Sequence, residues 1–413
     1  MPMVRLNLRC GRKRLLCSLL VLSAITLLGG LLAADAAKAR AADAEAAYEQ
    51  APLTDAQEKE FKKQSAKISQ ILRAQKFATA EEKTAFDTFY PDYFLTRWTL
   101  AKNAANIPDL RKDLRNHLRL AKSGEVHDYL NSLTLDSMNK LLAGNYHPAV
   151  RVNAMLMIGE LNHVEQGGGA PAVPWVDALK VLIGAVGDAK TPDALRAAAM
   201  VGILRHAEAG IPDEDARHSL VAAMLKLTAE DAPTGRAAIG HAWIVAQAVE
   251  TLGLLGSVGD DNTVFQALLK TLSDNKLALG ARSAAAEALG QLDYANASGI
   301  DAAEAASAVG RFVLDACNDG LQQASSADGT ALRRRVLQFL TASLGALEGS
   351  GKEGRKGIAS LAKDAQQPFL DELRKEVKAA AVQLGDKKHE SDDMKPVVEG
   401  LRKKVEAWLK KKP

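Results

Sequence analysis

The chain has 413 residues, room for two or three ordinary domains or for one extended repeat array. Its 47% hydrophobic and 25% charged content is ordinary for a globular chain, and its apolar residues are mostly Ala and Leu, which favour helix over strand. The formal charge of +3 comes from residues 1–39, which hold six basic residues and one acidic; the rest, with 47 basic and 49 acidic residues, carries −2, so charge gives no ground for a nucleic-acid partner.

Arg5, Arg9, Arg12, Lys13 and Arg14 precede an apolar run from Leu15 to Ala34. Small-residue sites follow, with cleavage expected after Ala36, Ala39 or Ala41. This order is that of a secretory signal peptide, residues 1–39, and implies an exported protein, periplasmic or secreted. A run of about 20 apolar residues also spans a bilayer, so a signal anchor is the alternative. Cys10 and Cys17 fall in this segment, which leaves Cys317 alone and excludes an internal disulfide in an exported product. The helix-like context of Cys317 reads as a buried structural thiol.

Residues 40–53 read as a flexible leader, and residues 54–124 as an N-terminal helical cap. Thr54 with Gln57, and Thr79 with Glu82, form capping boxes at two helix starts. Phe61, Ile68 and Leu72 make one apolar stripe; Leu110, Leu114 and Leu118 make another on a helix entered through Pro108. Phe86, Phe89, Tyr90, Tyr93, Phe94 and Trp98 crowd together in an otherwise aromatic-poor chain. They suit the closing of an array's open end, with a ligand or partner pocket as the alternative.

From residue 125 a pattern recurs. Arg151, Ala154, Met155 and Ile158 share their spacing with Arg196, Ala199, Met200 and Ile203, and with Arg282, Ala285, Ala286 and Leu289. Val245, Ala248, Val249 and Leu252 fit with the Arg replaced. At roughly 100° per residue, offsets 0, 3, 4 and 7 lie on one side of a helix. Other apolar helices precede the last three of these four, at Val176 to Val186, Leu220 to Leu227 and Val264 to Leu272.

Pro148 to Arg151, followed by Ala154, Met155, Ile158 and Gly159, resembles the second helix of a HEAT repeat, as does Arg282 through Gly290. The likeness covers residues 125–350 and departs from the family where the anchors are spaced irregularly, by 45, 49 and 37 residues. It also departs where Leu204 replaces the usual Gly and Val245 the usual Arg. The resemblance implies an all-α fold, an irregular HEAT-like α-solenoid of stacked helical hairpins. It also implies second helices lining a concave face that holds a protein partner.

Residues 351–413 read as a C-terminal helical region, with helices from Ile358 to Leu384 and Met394 to Leu409 and an exposed connector from Gly385 to Glu390. Val397, Val398, Leu401, Val405, Trp408 and Leu409 form an apolar stripe beside Arg402, Lys403, Lys410 and Lys411. Docking on the last repeat is the expected use, and lying on an anionic membrane surface the alternative.

None of the eight histidines stands in H-E-x-x-H, and no G-x-S-x-G is present. Gly349-Ser350-Gly351-Lys352 lacks the leading Gly and the trailing Ser or Thr of a phosphate loop, and Gly167 to Gly169 reads as a flexible link. The Asn296-Ala297-Ser298 sequon matters only on a eukaryotic secretory route. The expected function is therefore a non-catalytic scaffold that binds another protein, with no catalytic, metal or cofactor residues. A HEAT-like lyase or hydroxylase, or a membrane-anchored envelope component, are the alternatives. Offsets 2, 5 and 9 fall at about 200°, 140° and 180°, opposite the apolar stripe. They mark Asn153, Glu160, Arg205, Gln247, Glu250, Glu287 and Gln291 as one polar, partner-binding row.

Overall fold

The computed structural model describes residues 48–231, 238–324, 329–351, 355–386 and 394–411. The expected signal segment, residues 40–47 of the leader, Lys352, and Lys387 to Glu390 of the connector lie outside the described residues. Those described from residue 50 onward form one compact unit.

The chain opens with α1 (Asp55–Ala74), where Thr54 and Gln57 complete the capping box, and α2 (Ala80–Phe89), where the Thr79 hydroxyl accepts from the Glu82 N–H but the Glu82 carboxylate accepts from the Ala78 N–H rather than from Thr79. A π-helical turn (Tyr90–Leu95) and two 3-10 turns lead to α3 (Ile107–Ala121). Next come α4 (Glu125–Ala143) and α5 (Pro148–Gly159). A short antiparallel hairpin follows, β1 (Asn162–Val164) paired with β2 (Val173–Pro174). Then come α6 (Val176–Gly187), α7 (Asp193–Ala209), α8 (Glu214–Ala229), α9 (Ala238–Leu255), α10 (Thr263–Ser273) and α11 (Leu279–Leu289). The chain closes with α12 (Ala302–Gln323), α13 (Gly329–Glu348), α14 (Gln367–Gly385) and α15 (Lys395–Trp408).

The hairpin changes the reading of Gly167 to Gly169. Instead of a loose link, Gly167 and Ala170 exchange both backbone hydrogen bonds, at 3.3 and 2.9 Å. Gly168 and Gly169 between them both take positive φ, the backbone that a two-residue hairpin turn demands.

Helices pack in two series. One runs α3 on α5, α5 on α7, α7 on α9, α9 on α11 and α11 on α13; the other runs α6 on α8, α8 on α10 and α10 on α12. Contacts within α4–α5, α6–α7, α8–α9, α10–α11 and α12–α13 join the two series. The helical period explains the core. Offsets 3, 4 and 7 of α5, α7, α9 and α11 hold twelve residues, from Ala154 to Leu289, none more than 2% exposed. Small residues set the spacing between neighbours in the first series. A Cβ on Gly202 would sit 2.7 Å from Gly159 Cα, and one on Gly253 would sit 2.7 Å from Ala288 Cα. Each contact places offset 8 of one helix against offset 6 of the next.

Two of the three aligned arginines serve helix ends, a role that spacing alone does not reveal. The last carbonyls of a helix have no partner within it and attract cations. Arg151 Nε donates to Leu142 O at 3.2 Å at the end of α4, and Arg282 Nε to Leu272 O at 2.8 Å at the end of α10. Arg333 does the same for α14, donating to Gln383 O and Leu384 O at 2.8 Å each. Buried Arg196 instead pairs with Glu230 at 2.8 Å. Where Val245 replaces the Arg, His241 one turn earlier lies 3.2 Å from the Glu230 carbonyl that follows α8.

All six crowded aromatics are buried, at most 4% exposed, with Tyr93 stacked on Phe61 at 5.3 Å between ring centroids. That burial suits a packed core. At the other end, Trp408 stacks on Phe369 at 4.2 Å and donates from Nε1 to Phe369 O at 2.8 Å. Gly310 on α12 leaves room for the same ring, since a Cβ there would lie 2.5 Å from it. The stripe of α15 thus faces α12 and α14, with Val398, Leu401 and Val405 buried. Among the described residues no helix is long and apolar enough to cross a membrane.

Candidate interaction surface

The seven expected residues lie on or just past α5, α7, α9 and α11, and none of them is buried. Three of them join one network. Asn153 and Glu160 on α5 both meet Arg111 of α3: Arg111 Nη1 donates to Asn153 Oδ1 at 2.9 Å, and its Nε lies 3.6 Å from Glu160 Oε2. Arg115, one turn along α3, reaches the same Glu160 oxygen at 3.4 Å. Arg205 near the end of α7 is half-buried and donates from Nη1 to Gly159 O at 3.0 Å, capping α5. Its Nη2 donates to Asn162 Oδ1.

The hairpin extends this network inward. Asn162 Nδ2 donates to Glu165 Oε2 at 3.0 Å, and the fully buried His127 of α4 lies 3.4 Å from Glu165 Oε1. Asn131, one turn along α4, donates to Asn162 O at 2.6 Å. Burial pushes the Glu165 carboxyl up, but hydrogen bonds from His127 and Asn162 and the nearby charges of His127 and Arg119 outweigh it and hold the pKa below the ordinary carboxylate value. Arg205 is held below the usual guanidinium value by burial and by the like charge of Arg115, against the pull of Glu160 and Glu165.

The other four residues sit further along. Gln247 and Glu250 are half-buried on α9, with Gln247 Nε2 donating to Glu250 Oε2 at 3.3 Å. Glu287 is exposed on α11, and Gln291 just beyond it keeps its Oε1 buried without a hydrogen bond. Arg111 and Arg115 fell outside the aligned repeats and so escaped the sequence pattern. A signal was present nonetheless: Arg111, Arg115 and Arg119 recur every four residues, next to the buried Leu110, Leu114 and Leu118.

Among the described residues no group of three or more His, Cys, Asp or Glu side chains is arranged to hold a metal ion. Burial pushes the Cys317 thiol up to about 12, against the pull of Arg402, so it stays a protonated packing group. No family model, no curated protein and no solved structure matches the chain.

Proposed function

We propose that the chain is an exported, non-catalytic scaffold, an irregular HEAT-like solenoid that binds another protein along its second helices. The recurring contact of offset 8 on offset 6, at Gly159–Gly202 and again at Gly253–Ala288, carries this reading. Repeated in register, such a contact lays successive second helices side by side and turns their outer positions toward a common surface. That surface holds Asn153, Glu160, Arg205, Gln247, Glu250, Glu287 and Gln291, a polar row suited to a protein ligand. The export part of the proposal rests on residues 1–41 of the sequence.

The row is tested by charge reversal. Glu250 is half-buried and Glu287 exposed, so Glu250→Lys with Glu287→Lys leaves the apolar stripe intact. The double variant is expected to keep its helical circular dichroism and its melting midpoint while losing at least about tenfold in partner affinity, with partner captured from native envelope extract by the unaltered chain. Undiminished capture by the folded double variant contradicts the row.

A further inference from the structure

The row changes sign along its length, and its α3–α5–α7 end is cationic. There Arg111, Arg115, Arg119 and Arg205 surround two carboxylates, Glu160 and Glu165. At the far end α9 and α11 present Glu250 and Glu287. Glu160 is shared: one of its oxygens takes both Arg111 and Arg115, so neither guanidinium has a carboxylate to itself. Arg115 keeps 39% of its side chain exposed, and its ion pair with Glu160 runs through Nε at 3.4 Å. Arg205 is differently placed. Its Nη1 donates to Gly159 O and Leu161 O and its Nη2 to Asn162 Oδ1, so three of its five N–H donors serve the fold while its charge remains.

A planar guanidinium that is partly exposed matches a carboxylate better than most other protein groups do. An incoming carboxylate would also relieve the repulsion between Arg115 and Arg205. We propose that the surface formed by Arg111 and Arg115 receives an acidic segment of the protein partner, whose Asp or Glu carboxylates complete the pairing that Glu160 only half supplies. The identification of the ligand as a protein segment rests on the scaffold reading; the anion-binding surface stands on its own geometry.

The probe is a fluorescein-labelled hexaglutamate peptide titrated with the full chain at low salt, with hexalysine as the control. Hexaglutamate is expected to bind, hexalysine to bind at least about tenfold more weakly, and added salt to release the complex. Arg115→Glu should weaken hexaglutamate binding by at least about tenfold, and Arg115→Gln by less, with the melting midpoint unchanged. Absence of hexaglutamate binding, equal binding to both variants and the unaltered chain, or release by inorganic phosphate at equal charge concentration would each overturn the proposal, the last by assigning the surface to small anions. The Glu250→Lys, Glu287→Lys variant separates the two readings. If it captures partner normally while Arg115→Glu still loses hexaglutamate, the row fails and the cationic surface stands.

Discussion

Between pH 7 and pH 5 the protein is expected to lose about 2 kcal/mol of stability for each of two histidines, the half-buried His117 and the buried His206. Burial holds His117 at a pKa of about 4, only partly offset by Asp113. Burial and the charge of Arg205 hold His206 at about 4 as well. In the unfolded chain both return to about 6.5. A base whose pKa is depressed on folding stabilises the fold above the unfolded value and loses that contribution as pH falls toward the folded value. The window is therefore pH 6.5 to 4, and the full effect is about 3 kcal/mol per ring. The Tyr90 hydroxyl is kept neutral by burial and shares a 2.9 Å hydrogen bond with His117 Nδ1, a contact that the uncharged ring can make. Among the described residues His206 Nε2 is buried with no hydrogen-bond partner, so a proton there gains nothing from them. Glu165, with its lowered pKa, loses its contribution only below the carboxylate range, which leaves the span from pH 7 to pH 5 to the histidines. Urea midpoints at the two pH values measure the loss. Midpoints that coincide, or a His117→Gln, His206→Gln variant with an undiminished drop, contradict the assignment.

A second large effect is expected where helices meet through glycine. Gly202→Val should destabilise by about 3 kcal/mol, because its side chain would overlap Gly159 Cα and the Leu182 side chain, forcing α5 and α7 apart. Gly202→Ala is expected to destabilise by less, since the helix propensity of Ala returns about 1 kcal/mol. Gly184 on α6 supplies the contrast. Nothing lies within 4 Å of a Cβ built there, so Gly184→Ala should stabilise by up to about 1 kcal/mol. Denaturant midpoints of the three variants read this directly, and a Gly202→Val variant as stable as the unaltered protein rules out the close approach.

The contrast between those glycines also marks how far the sequence was legible. The apolar stripes of α5, α7, α9 and α11 could be read because burial on one face imposes the helical period on sequence, and offsets 3, 4 and 7 are all buried. The aligned Arg could be read as a marker but not as a cap, because the carbonyls it serves belong to other helices. Arg282 reaches back ten residues to Leu272 on the preceding helix. The hairpin was invisible for a different reason. Strands of three and two residues are too short to show alternation, and a Gly-rich turn looks like any loop. In the candidate surface, Asn153, Glu160 and Arg205 were singled out by angle alone. Their partners Arg111 and Arg115 were not, because α3 carries no small-residue pattern to align with the repeats.

The most direct test of the binding row is hydrogen exchange of the chain alone and in complex with its captured partner. The account predicts protection concentrated in peptides from α3, α5, α7, α9 and α11, including those that carry Arg115, Arg205, Glu250 and Glu287, with α6, α8 and α10 unchanged. Protection confined to α6, α8 and α10, with the second helices exchanging as in the free chain, would contradict it.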